Sequence, residues 1–117
     1  MRNHAKLKVF DLADRLAIMV YRYTANFPET ERFGLTSQLR RAAVSVAANI
    51  VEGAARRSDA EFARFLIISY GSARELEYEL SLADRLGYLT PVASNQTGDL
   101  VSQTGRALRA LIRAVSK

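Results

Sequence analysis

Residues 33–58 read FGLTSQLRRAAVSVAANIVEGAARRS, and the spacing of apolar side chains in this stretch decides the fold class. On a helix, at about 100° per residue, Leu39, Ala43, Val46 and Ile50 fall together as a core stripe, with Ala42 and Gly53 on its flank. Gln38, Arg41, Ser45, Asn49, Glu52 and Arg56 form one narrow polar strip. The remainder, Val44, Ala47, Ala48, Val51 and Ala55, is small, apolar and turned away from the Leu39 stripe. A surface helix of a monomer carries one apolar stripe with a polar face opposite. This helix is apolar around well over half its circumference. It suits either the centre of a monomeric core or a position between its own subunit and a neighbour.

Outward from this stretch the chain stays helical. Thr36 or Ser37 is the expected N-cap of a helix over 36–56. Upstream, Val9, Leu12, Leu16, Met19, Val20 and Tyr23 make the inward stripe of a helix over 9–25. Asn26-Phe27-Pro28 ends it, because the residue before proline resists the α conformation. Phe27, Phe33 and Leu35 are expected to plug that end of the molecule. Downstream, Ser58-Asp59-Ala60-Glu61 has the form of a capping box, in which hydroxyl and carboxylate satisfy each other's amides at a helix start. The helix it opens should span 59–86 and stop at Gly87. Phe62, Phe65, Leu66, Ser69, Ala73, Leu76, Leu80 and Ala83 line its core face, and Ala63, Ile67, Tyr70 and Tyr78 form a second patch. Thr90-Pro91 places an N-cap before a proline at the first position of a helix over 91–115. Leu100, Thr104, Ala107, Leu108, Leu111 and Val115 face inward there. Four amphipathic helices with short connections indicate an all-α, antiparallel up-down four-helix bundle. A flexible basic arm, 1–8, precedes a single domain over 9–117.

The chain has 117 residues and no cysteine, so it is one domain without disulfides or thiolate metal sites. Nothing near the N-terminus has the shape of a signal peptide, and no apolar run spans a bilayer. A cytoplasmic protein with no membrane partner is expected. The formal charge of +5 favours polyanionic partners, and the cations are mostly arginine, which suits bidentate phosphate contacts.

On the last helix Ser102, Arg106, Arg109 and Arg113 share a face, Lys117 follows, and no acid occurs after Asp99. Such a strip can track a phosphate backbone by releasing its counterions. The competing role is a solvated face, with arginines favoured by the helix dipole at a C-terminus. Arg2, Lys6 and Lys8 of the arm are candidate companions in contacting RNA or DNA. Arg41, Val44, Ala48, Asn49, Val51, Glu52 and Arg56, with Ile67 and Tyr70 of the third helix, are the candidate subunit interface. Glu52 and Arg56 are spaced to pair along one helix. An enzyme is not expected. His4 is the one histidine, no Glu-x-x-His pair of a di-iron bundle occurs, and no nucleophile triad or phosphate-binding loop is present. No catalytic residue, metal or cofactor is therefore assigned.

FGLTSQLRRAAVSVAANIVEG, then RRSDAEFARFLIISYGSARELEYEL, then LADRLGYL strongly resemble the bacterial four-helix-bundle family of 23S rRNA intervening-sequence proteins. The resemblance runs from about residue 7 to 115, and departs at Val51, where the family more often has alanine, and in the glycine-containing fourth helix. It implies a bundle that assembles into a homopentameric ring. It also implies kinship with the accessory protein of diversity-generating retroelements, a basic pentamer that associates with nucleic acid and a reverse transcriptase. No catalytic residue comes with the family. The expectation is a non-enzymatic homo-oligomer that binds RNA or DNA through arginines; the alternative is a structural or protein-interaction module whose charge is incidental.

Overall fold

The computed structural model describes residues 2–117. Four helices carry the fold: α1 Lys8–Thr24, α2 Leu35–Ala54, α3 Asp59–Arg85 and α4 Pro91–Val115. Single 3-10 turns at His4–Lys6 and Glu29–Glu31 precede α1 and α2. Each helix packs on two neighbours, α1 on α2, α2 on α3, α3 on α4, and α4 back on α1. The ring is thus closed, and the molecule measures 43 × 23 × 20 Å. The antiparallel up-down bundle is as the apolar periodicity predicts.

The helix ends follow local chemistry. At α3 the Ser58 hydroxyl accepts the Glu61 amide at 3.1 Å. At α4 the Thr90 hydroxyl accepts the Ala93 amide at 3.1 Å, with Pro91 following it. Gly87 has φ +79°, the left-handed conformation that ends α3. The start of α2 differs from expectation. Gly34, not Thr36 or Ser37, occupies the cap position and offers no side chain. The Glu31 carboxylate serves instead, accepting the Leu35 amide at 3.1 Å and the Tyr88 hydroxyl at 2.9 Å. Both bonds favour its charged form, which holds its pKa below the ordinary value.

The core has two layers along the bundle axis. Leu12, Leu16, Leu39, Leu76, Leu80 and Leu100 belong to one; Val46, Ile50, Phe62, Leu66 and Leu108 belong to the other. Four buried hydroxyls are satisfied by backbone carbonyls. Thr24, Thr97 and Thr104 bond one turn back within their own helices, while Ser69 reaches Val46 O across from α3 to α2 at 2.7 Å. At Gly53 those two helices approach tightly: a Cβ there would lie 2.8 Å from Phe65 Cβ.

Two expectations about the ends need correction. Leu35 is buried and Phe27 packs on Tyr88 with ring centroids 5.3 Å apart, but Phe33 is 85% exposed and plugs nothing. The expected loose arm is laid against the bundle over residues 2–7. Arg2 N donates to Ala54 O at 2.7 Å, its guanidinium pairs with Asp59, and it lies 4.3 Å over the Phe62 ring. Lys8 already belongs to α1, and Met1 lies outside the described residues. Among the described residues no helix is long and apolar enough to cross a membrane.

Candidate nucleic-acid interface

The inner stripe of α4 fixes where its arginines stand. Leu108, Leu111, Ile112 and Val115 pack in the same layer as Leu7, Val9 and Phe10. That packing leaves Arg106, Arg109, Arg113 and Lys117 exposed. It also places exposed Lys6 and Lys8 at the end of the bundle that carries Arg113 and Lys117. Arg106 donates to Ser102 Oγ at 2.7 Å, which holds one guanidinium along the helix. Among the described residues none of these cations is in an ion pair; the pairs are Arg2–Asp59, Arg15–Asp11, Arg32–Glu29, Arg56–Glu52 and Arg74–Glu77. Arg106 and Arg109 also line a cleft of about 100 Å³ between α3 and α4, with Tyr70, Arg74 and Glu77. The structure therefore leaves six of the seven proposed phosphate-binding residues as available cations. Arg2 is the exception, since Asp59 and Phe62 occupy its charge.

The polar strip of α2 faces α3. Ser45 Oγ lies 2.8 Å from Ser72 Oγ, joining the helices. Asn49 turns back along α2, donating to Ser45 O at 2.9 Å and to Ser45 Oγ at 3.0 Å. Arg41 donates to Gln38 Oε1 at 2.6 Å. Arg56 pairs with Glu52 at 2.6 Å and lies 4.8 Å over the Phe65 ring. Beside the strip Val44 and Ala48 are exposed and Val51 is half-buried. Ile67 and Tyr70 do not join this face. Ile67 points outward from α3, and Tyr70 lines the α3–α4 cleft.

Ile68 and Glu79 belong to the seam instead. Ile68, one turn before Ser72, is 47% exposed. Glu79 is buried with Oε1 unpartnered, and the Nε of Arg56 is likewise buried without a partner. Burial, then repulsion from Glu75, raises the Glu79 pKa to about 7 against the attraction of Arg41. The offsets Ile68, Ser72, Glu75 and Glu79 put all four on one helical face, a pattern already present in the sequence. It is obscured there because Glu75, Glu77, Glu79 and Asp84 read as acids spread around α3.

Comparisons with known proteins agree with this architecture. A crystal structure of a protein of unknown function from the S23 ribosomal protein family of Bacteroides thetaiotaomicron is similar at 28% identity and a TM-score of 0.80, covering 89% of this chain and 97% of that one. No curated protein matches the chain. The family model described as 23S rRNA-intervening sequence protein matches residues 5–110. By that match over most of its length, the chain belongs to the 23S rRNA-intervening sequence protein family.

Proposed function

We propose that this chain is a non-enzymatic, self-assembling bundle that binds RNA or DNA through arginine-rich surfaces repeated around a homo-oligomer, read as a pentamer in the cytoplasm. The observation that carries the nucleic-acid half is the unpaired cationic end: Arg106, Arg109, Arg113 and Lys117, with Lys6 and Lys8 close by and no acidic side chain after Asp99. Charges not matched within the protein are free to displace counterions from a phosphate backbone. Exposed Val44, Ala48 and Ile68 support self-assembly, because a neighbour can cover an apolar face that this chain leaves in solvent. The proposed kinship with the retroelement accessory protein fits both halves.

The test is fluorescence anisotropy with structured RNA and duplex DNA at low salt. Binding is expected, and it should be lost when Arg106, Arg109 and Arg113 are replaced by Glu. No binding at low salt, or binding indifferent to those changes, sinks the proposal. A protein-interaction module is the second reading, favoured by the exposure of Ile67 and Tyr78 on the outer side of α3. It predicts a specific protein partner and negligible nucleic-acid affinity.

A further inference from the structure

At the end of the bundle opposite Lys117, the turn between α1 and α2 carries an aromatic and cationic surface that the α4 site does not explain. Phe33 is 85% exposed and Tyr21 is 46% exposed. A lone exposed phenylalanine is ordinary, but this one projects at a cleft that it shares with Tyr21 and three arginines. Each ring carries a guanidinium. Arg32 lies 5.1 Å from the Phe33 centroid and Arg40 lies 4.6 Å from that of Tyr21. Arg40 is fixed in place by donating to Thr24 Oγ1 at 2.9 Å and Tyr21 O at 3.4 Å.

The two rings border a cleft of about 400 Å³ lined also by Arg32, Arg40, Arg41 and the small hydroxyl residues Thr36 and Ser37. No carboxylate is among its lining residues. Its volume falls within the range of small-ligand clefts, about 300–1,000 Å³. Three arginines line the cleft, with Arg32 also paired at 3.6 Å to the exposed Glu29 outside the lining. Their excess charge selects an anion, and a projecting aromatic ring selects a flat apolar group attached to it. One nucleotide of a single strand has both parts. Its base can stack on an aromatic face in a way that a paired base inside a duplex cannot.

We propose that this cleft is a second nucleic-acid contact, specific for single strands, in which a base stacks on Phe33 while flanking phosphates are held by Arg32 and Arg41. The site rests on the reading that the chain binds nucleic acid, and adds to it a preference for unpaired nucleotides. Arg40 acts as a positioning residue, since two of its donors tie it to Thr24 and Tyr21.

The chain has no tryptophan, so Phe33→Trp installs a single indole at the site. Titration of this variant with oligo(dT) and oligo(U) should quench its fluorescence saturably, and a matched duplex should quench it far less. Phe33→Ala should weaken single-strand binding about tenfold, one stacked base, and leave duplex binding unchanged. Absence of quenching while the oligonucleotide binds in anisotropy overturns the proposal and leaves the α4 reading standing. Loss of all binding by both probes overturns both. If Phe33→Ala changes the sedimentation coefficient and not the single-strand affinity, the ring is a subunit contact and the proposal is wrong.

Discussion

Glu79 is the residue most out of balance with its surroundings. Its carboxyl is buried, one oxygen lacks a partner, and Glu75 adds repulsion. The folded chain therefore keeps this proton to about pH 7, whereas an unfolded chain releases it near 4.5. Protonation thus favours folding: the contribution is greatest below pH 4.5 and is lost as pH rises to about 7. Glu79→Gln should raise the melting temperature at pH 8, by at most about 3 kcal/mol of stability, and change it little at pH 4.5. Equal effects at both pH values contradict this account. Gly53 and Gly98 make an opposed pair. The Cβ of Gly53→Ala meets Phe65 at 2.8 Å and Phe62 at 3.1 Å, so overpacking should cost about 1–3 kcal/mol. At Gly98 nothing lies within 4 Å, and alanine should stabilise the helix by up to about 1 kcal/mol. Urea denaturation of the two variants distinguishes them by sign.

At the scale of elements, helix existence and the main core stripes were legible because both rest on periodicity. Leu39, Ala43, Val46 and Ile50 are all fully buried. The caps at Ser58 and Thr90 were legible because a hydroxyl followed by its helix is a local signal. The start of α2 was not. Its amide is satisfied by Glu31, and that carboxylate is held in turn by Tyr88, far along the chain. A cap shared with a remote tyrosine leaves no local pattern. Removing it has a testable pH signature. Since the Glu31 pKa is lowered in the fold, its contribution is present above 4.5 and fades as pH falls through the folded value. Glu31→Ala should therefore destabilise at pH 7, with the effect shrinking as pH falls below 4.5 in thermal melts. The candidate site was partly legible for the same reason. The α4 face follows from spacing alone, whereas the engagement of Arg2 by Asp59 and Phe62 needs contacts between distant segments. Phe33 departs from its expected place because apolarity predicts burial in general, and only the path of the turn shows that this ring projects.

At the scale of the whole molecule, the exposed apolar face of Val44, Ala48 and Ile68 is the surface proposed for assembly. Light scattering at micromolar concentration should show an oligomer, with a monomer contradicting the proposed assembly. Ala48→Glu, which places charge within the apolar face, should shift that oligomer toward monomer without unfolding the chain. Assembly would also repeat the cationic end of α4 around a ring and strengthen its field. The claim that this end binds nucleic acid makes its most direct prediction in the salt dependence of affinity. Each phosphate neutralised on B-DNA adds about −0.9 to the slope of log K against log salt. With duplex DNA, the parent chain should give a steep negative slope. Replacing Arg106, Arg109 and Arg113 by Gln should flatten it by about 2–3 for each engaged protomer. An unchanged slope would place the phosphate contacts elsewhere and contradict the role given to α4.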